Sequence, residues 1–191
     1  SRANVVLDKV AQMDDALFDD NLEAGKALKS RLLAEAHFMR GFAYYQLTDL
    51  FYTVPLIIDT ETPVDAALPP ATLEELETQI EKDLSEAKGG LPQTFASTLD
   101  AGRPTFGAAA GMLCRLHMRM AGRKRLEGGD ATADWKTALD YANAILSLKG
   151  SVYELQPHIA DVFDAETDKG LYNNEPVSYT HLRAHETKAN L

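Results

Sequence analysis

The chain has 191 residues and a mass of 20.9 kDa, which suits one domain or one lobe of a larger protein. Its 19 basic and 29 acidic residues give a formal charge of -10, which disfavours a nucleic-acid binder. The single cysteine excludes an internal disulfide framework, and no charge-free run approaches the roughly 20 apolar residues that a membrane-spanning helix needs.

Apolar residues recur every three or four positions in the first third of the chain, which predicts two helices. The first covers 4–20 and the second covers about 27–51, ending before Pro55. The apolar face of the first helix is Val6, Val10, Met13 and Leu17. The stripe of the second is Leu32, Ala36, Met39, Ala43, Leu47 and Leu50.

A third helix is predicted over 72–88, with Thr72 as its N-cap and Glu75 placed for a capping box. Gly89 and Gly90 supply its end. Its stripe is Leu73, Leu76, Ile80, Leu84, Ala87 and Leu91. The preceding segment Val54–Ile58 is extended but carries Pro55, so we expect a loop or an edge there.

Two further helices are predicted in the second half. One covers 104–121, with Pro104 in its first turn, and ends either at Gly122 or at the pair Gly128 and Gly129. Its apolar face is Ala109, Met112, Leu116 and Met120. The other covers about 133–148 and is closed by Gly150.

The helices suggest pairs joined by turns: 4–20 with 27–51, 72–88 with 104–121, and 133–148 opening a third. One helix resembles the first helix of a tetratricopeptide repeat through Trp135, Ala138, Leu139, Tyr141, Ala142 and Ile145. We predict an all-α fold of tetratricopeptide-like antiparallel helix pairs in a right-handed superhelical lobe, with an irregular C-terminal segment. An ordinary helical bundle is the alternative.

The residues that usually carry chemistry form no catalytic constellation, because phosphate-loop and nucleophile-elbow patterns are both absent. Cys114 is interpreted as a structural thiol. His37 and His117 are interpreted as packing or surface residues without a carboxylate at triad-like spacing, and His158 as a loop residue. We predict no catalytic residues, no metal site and no cofactor.

Two charged groups and one aromatic group are weighed as functional candidates. A stripe of Arg115, Arg119 and Arg123 is either an anion patch or, as we favour, a solvated helix face with cations near its C-terminus. The acidic group is interpreted as the solvated face of the first helix; it contains Asp14, Asp15, Asp19 and Asp20. The aromatic group could form a glycan platform, although packing is favoured; it contains Phe38, Phe42, Tyr44, Tyr45, Phe51 and Tyr52.

The order of four motifs resembles the SusD/RagB family. The run from Ala34 to Leu47 is similar to the family pattern A-E-A-x-F-L-R-A-F-x-Y-x-x-L, with Gly41 in place of an alanine. Phe51 to Ile57 stands where the family has Y-G-x-V-P-L, without the glycine, so the turn is expected to differ. Residues 80–92 and 102–109 resemble I-x-x-D-L-x-x-A with L-P, and G-R-x-T-x-x-A-A.

The resemblance implies a lipid-anchored protein on the outer-membrane surface that is not an enzyme. Such proteins have tetratricopeptide-like pairs and capture glycans or other nutrients for a SusC-like TonB-dependent transporter. The anchor would be absent from this chain, since Cys114 lies mid-chain. A tetratricopeptide-type adaptor that binds a protein partner is the rival hypothesis. No ligand-binding residue can be assigned, but loops 53–70 and 89–103 are candidate surfaces.

The composition changes abruptly near the C-terminus. We interpret residues 1–176 as a partial SusD-like helical domain and residues 177–191 as a non-native tail. This tail contains His181 and His185, whose spacing of four would otherwise suit a metal site on a helix. We expect the tail to pack loosely.

Overall fold

The regular secondary structure is helical throughout the part of the chain that the structure, a computed structural model, describes: residues 1–63, 66–95, 100 and 102–153. The five helices are α1 Arg2–Gln12, α2 Leu22–Phe51, α3 Leu73–Gly90, α4 Phe106–Leu126 and α5 Thr132–Leu146. The predicted all-α class is confirmed. The predicted irregular C-terminal segment, the 177–191 tail, His158, His181 and His185 lie outside the described residues. No helix within these ranges has the length and apolar character needed to cross a membrane.

The chain divides into two compact units, of which the first is Ser1–Leu91 and the second begins at Pro92. In the first unit α2 packs along α3, and α1 packs on α2. In the second unit α4 packs against α5. The predicted pair of 4–20 with 27–51 is observed as α1 with α2, whereas α5, predicted to open a third pair, packs instead against α4. The short connection 127–131 makes α4 and α5 neighbours, a relation that hydrophobic periodicity alone does not show.

The first helix is shorter than predicted because α1 ends at Gln12, where Met13 becomes extended. Asp14 then caps a 3₁₀ turn, Asp15–Leu17, by accepting a hydrogen bond from the Ala16 amide. Lys29 of α2 pairs with Asp15 at 3.0 Å and donates to the Met13 carbonyl at 2.6 Å. The acidic group therefore lies in the connection between α1 and α2, and its interpretation as the solvated face of the first helix is wrong.

The helix α2 buries a different face from the predicted stripe. Met39, Leu47 and Leu50 are exposed, whereas Phe38 and Tyr45 are buried. Part of the buried face is polar, because Arg40 is only 9% exposed. A stripe read from apolar residues alone misses a buried arginine, and this accounts for the error. The favoured packing role of Phe38 and Tyr45 agrees with their burial.

Close approach of α2 and α3 depends on small residues. A Cβ atom on Gly41 would lie 3.1 Å from both the Cβ of Asp83 and the Cγ of Leu84. A Cβ atom on Gly90 would lie 2.8 Å from the Cβ of Ala34. Gly41 therefore does more than lower helix propensity, since it lets the α3 backbone approach α2 closely.

The beginning of α3 agrees with the sequence prediction. Thr72 accepts a hydrogen bond from the Glu75 amide, and the Glu75 carboxylate accepts one from the Thr72 amide at 2.8 Å. These bonds from Thr72 lower the pKa of Glu75 below its usual value. The core side of α3 is fully buried, as predicted, through Leu76, Ile80, Leu84 and Ala87.

The boundaries of α4 refine two predictions. Thr105 is the N-cap and Pro104 precedes it, so Pro104 is not in the first turn. The helix passes through Gly122 and ends at Leu126. Gly128 then adopts a φ of 80°, which confirms the second of the two predicted stops.

Candidate functional site

A buried ion pair lies between α2 and α3. Arg40 donates from Nε to Oδ2 of Asp83 at 2.8 Å and from Nη2 to Oδ1 at 2.7 Å. The Nδ1 atom of His37 makes a third hydrogen bond, 2.8 Å from Oδ1. The Asp83 side chain has no exposed area. His37 thus has a carboxylate partner, which sequence spacing did not reveal.

The ionisation of Asp83 is set by two opposing effects. Burial raises the pKa of its carboxyl group. Hydrogen bonds from Arg40 and His37 and the positive charge of Arg40 lower the pKa by more than burial raises it. The net pKa lies below the usual value, so Asp83 is a carboxylate at neutral pH. Gln79 adds a further side-chain hydrogen bond, and a carboxylate bonded in this way from both helices is suited to holding α2 and α3 together.

The same arginine reaches the loop that follows α2. Its Nη1 atom donates to the Asn4 side-chain oxygen at 3.2 Å and to the Ile58 carbonyl at 3.5 Å. Asn4 in turn donates to the carbonyls of Ile57 at 3.0 Å and Asp59 at 2.7 Å. Three consecutive carbonyls of the loop are therefore bonded to side chains of α1 and α2.

Tyr44 completes this attachment of the loop. Its hydroxyl accepts from the Ile57 amide at 2.7 Å and donates to the Ile57 carbonyl at 3.1 Å. We refer to Asn4, Arg40 and Tyr44 as the loop anchor. The loop anchor fixes the first part of the predicted surface loop 53–70, in agreement with the principle that a recognition loop works best on a rigid scaffold.

In the second unit, a second tyrosine is bonded to Gln93, which belongs to the other predicted surface loop, 89–103. The hydroxyl of Tyr153 donates to the Gln93 carbonyl at 2.8 Å and accepts from the Gly107 amide at 3.0 Å. A Cβ atom on Gly107 would lie 2.7 Å from this phenol ring. Glycine at 107 therefore makes room for Tyr153 at the start of α4.

The turn at the end of α2 carries an unusual backbone conformation. Tyr52 has a φ of 68° and a ψ of -61°, and the Thr53 amide donates to the Phe51 carbonyl at 2.8 Å. These features define a γ-turn, which is strained for a bulky residue by about 1–3 kcal/mol. The family pattern has a glycine after the tyrosine of this turn, and its absence predicts a different turn. In the structure Tyr52 itself adopts the positive φ. Phe51 and Tyr52 are 65% and 60% exposed.

The remaining candidate residues, Cys114 and His117, are packed within the second unit. Cys114 is half-buried on α4, and burial raises the pKa of its thiol, which disfavours the reactive thiolate. His117 is buried, stacks on Tyr141 and has its Nδ1 3.7 Å from Asp134 of α5. Lys124 holds the other oxygen of Asp134 at 2.6 Å.

The arginine stripe lies along α4 as expected. Arg115 is exposed, whereas Arg119 and Arg123 are half-buried. Arg123 is 3.7 Å from Glu127, and the last turn carries three cations. Within the described ranges, no three His, Cys, Asp or Glu side chains cluster in a way that could hold a metal ion.

Sequence reasoning missed Asn4, Asp83 and Tyr153, whose side chains hold helices and loops in place. A signal existed for Asp83, because it shares the apolar phase of Ile80, Leu84 and Ala87 on α3. A charged residue in an apolar stripe predicts a buried partner. Asn4 and Tyr153 gave no comparable signal, because their hydrogen-bond partners are distant in sequence.

Comparison with known families supplies context for this geometry. Residues 1–118 match a SusD-like family model described as starch-binding and associating with the outer membrane. A curated "SusD-like protein" of Bacteroides ovatus is 30% identical over 139 residues. That match covers 72% of this chain and 24% of the relative, so the chain spans about a quarter of that protein's length.

Solved structures show the same likeness. A crystal structure with a xylogluco-oligosaccharide is 26% identical, with a TM-score of 0.71 over 88% of this chain and 31% of that chain. A laminarin-binding SusD-like protein is 25% identical, with a TM-score of 0.65 over 85% of this chain and 31% of that chain. A SusD-like protein of Bacteroides fragilis is 27% identical, with a TM-score of 0.53 over 68% and 22% of the two chains. The chain therefore spans less than a third of these structures.

Proposed function

This chain belongs to the SusD-like family, and on that premise we propose that it is part of a non-catalytic protein that captures oligosaccharides at the outer-membrane surface. The observation that carries the proposal is the likeness to a structure with a xylogluco-oligosaccharide, at 26% identity over 88% of this chain. The laminarin-binding relative supports the same class of ligand. The captured glycan would be passed to a SusC-like TonB-dependent transporter.

The internal geometry supports binding over catalysis. The Asp83 carboxylate is fully occupied by Arg40 and His37, so it is poorly placed to accept a proton from a substrate. His117 is enclosed between Tyr141 and Asp134. Both imidazole–carboxylate pairs therefore lie inside helix pairs, where they support packing.

The two loops are the favoured ligand-facing parts. Each loop has a described position that is bonded to a tyrosine hydroxyl: Tyr44 makes two hydrogen bonds with Ile57, and Tyr153 makes one with the Gln93 carbonyl. Loops held in this way lose little conformational entropy when a ligand binds. Loop positions that are fixed to a helical scaffold are consistent with a glycan receptor.

Isothermal titration calorimetry of the purified 191-residue chain tests the proposal. The titrants are oligosaccharides from xyloglucan, laminarin and starch, and we expect saturable binding of at least one. Chromatography of the sugars after incubation should show no cleavage. A folded chain, verified by circular dichroism, that binds none of them would contradict the proposal and favour the adaptor hypothesis.

The transporter partnership needs a separate experiment. The full-length parent protein would be co-expressed with the TonB-dependent transporter of its source genome, and the two should co-purify from outer membranes. Recovery of the parent protein without the transporter, under conditions that preserve other outer-membrane complexes, would overturn this part of the proposal.

A further inference from the structure

The end of α2 exposes an apolar surface that includes two aromatic rings. Phe51 and Tyr52 are largely exposed, and Leu50 beside them is 76% exposed. Covering these side chains with a bound partner or ligand would be favourable, because it removes apolar area from water. Exposed apolar patches therefore often mark binding regions. The packing role favoured for the aromatic group therefore does not extend to Phe51 and Tyr52.

The backbone at Tyr52 is held on both sides. The Tyr52 amide donates to the Thr48 carbonyl at 3.1 Å, and the Ala71 amide donates to the Val54 carbonyl at 3.0 Å. Further along the loop, residues 57–59 are bonded to the loop anchor. The positive φ of Tyr52 would be relaxed in glycine, so a tyrosine at this position has a cost in stability. Strain of this type tends to occur at functional positions.

The charge of the surrounding segment restricts the ligand. Between Gly41 and Glu81 the sequence contains no lysine, arginine or histidine. Its exposed acidic residues include Asp59, Glu61, Glu74 and Glu75. Such a segment repels carboxylated or sulfated sugars, whereas a neutral sugar meets no repulsion and finds acceptors for its hydroxyl groups.

We propose that Tyr52, with Phe51 beside it, is a stacking surface for the pyranose ring of a neutral oligosaccharide. The C–H face of a pyranose packs on an aromatic ring, while the tyrosine hydroxyl remains in water. The ring is presented by a fixed turn, so little entropy is lost on binding. This inference rests on the proposed function and adds a ligand class and a contact residue to it.

The test compares the wild-type chain with Tyr52→Ala, Tyr52→Phe and Tyr52→Gly by calorimetry with the best-binding neutral oligosaccharide. Tyr52→Ala and Tyr52→Gly should each weaken binding about tenfold or more, as for a tyrosine at a binding hot spot. Tyr52→Phe should bind within about twofold of wild type, because it keeps the ring. An oligogalacturonate should bind at least about tenfold more weakly than the neutral sugar.

Thermal unfolding separates a binding role from a structural one. Tyr52→Gly should raise the melting temperature by about 2–4 °C because it removes the strain at positive φ. A variant that gains stability and loses binding cannot have lost binding through misfolding. Leu126→Ala, at a 91% exposed position on α4, is the control and should change neither property.

The outcomes are distinguishable. If the wild-type chain binds no sugar, the proposed function fails and this inference fails with it. If the wild-type chain binds and Tyr52→Ala binds equally well, only this inference is overturned. Concentration-dependent dimerisation that Tyr52→Ala abolishes, without a change in sugar affinity, would instead assign the surface to a second copy of the chain and overturn the inference.

Discussion

Arg40 and Asp83 form a bidentate ion pair across the α2–α3 interface, with N–O distances of 2.7 and 2.8 Å. The two residues are 43 positions apart, and both are buried. Through Nη1 the same guanidinium reaches Asn4 and the Ile58 carbonyl, so one arginine links three helices to the loop after α2. The stability of the first unit and the position of its loop are therefore coupled.

Removing one partner of this pair should destabilise the first unit strongly. Arg40→Met leaves the Asp83 carboxylate buried beside an apolar chain, and we expect a loss of about 3–5 kcal/mol in the free energy of unfolding. Urea unfolding followed by circular dichroism measures it. Arg103→Ala, in the exposed pair with Asp100, is the matched control and should cost less than about 1 kcal/mol. Equal effects of the two variants would contradict a special role for the buried pair.

The contribution of Asp83 should depend on pH in a defined direction. Its pKa is lower in the folded chain than the usual value of 3.8, so folding favours the carboxylate. The stabilisation is therefore complete above pH 3.8 and is lost as the pH falls through the lower, folded pKa. The difference in urea midpoint between wild type and Asp83→Asn should be constant near neutral pH and should shrink in acid. A difference that grows in acid would show that the pKa of Asp83 is not lowered by folding.

Tyr44→Phe should loosen the loop without removing the packed ring. The Ile57 amide loses its acceptor and the Ile57 carbonyl loses a donor, which should cost about 1–2 kcal/mol. Hydrogen exchange should become faster at the Ile57 amide while the amides of α3 stay protected. Tyr52→Phe removes an exposed hydroxyl and should leave exchange at Ile57 unchanged. Unchanged exchange in Tyr44→Phe would argue against the loop anchor.

Two glycines of α4 should respond to alanine in opposite directions. Gly107→Ala places a Cβ atom 2.7 Å from the Tyr153 ring, and we expect a loss of about 1–3 kcal/mol. Gly122→Ala meets nothing within 4 Å and should gain about 1 kcal/mol from helix propensity. Thermal unfolding of the two variants provides the comparison. A gain in both would mean that Tyr153 does not restrict the start of α4.

Local signals predicted much of the fold. The capping box of Thr72 and Glu75 and the buried stripe of α3 depend on residues a few positions apart, so they can be read from the chain directly. The glycine at 128 that follows α4 is a similar case. The predicted stripe of α2 failed because its buried face includes Arg40, which only a distant carboxylate makes tolerable.

The sequence by itself determined the helices, most of their ends and the family motifs, since each depends on neighbouring residues. Only the tertiary structure decided which helices pair, because periodicity predicts that a helix has an apolar face but does not predict which helix packs against that face. It also decided the loop anchor and the contact of Tyr153 with Gly107, across 46 positions. Hydrogen bonds of this kind require two distant segments to meet, and the folded backbone brings them together.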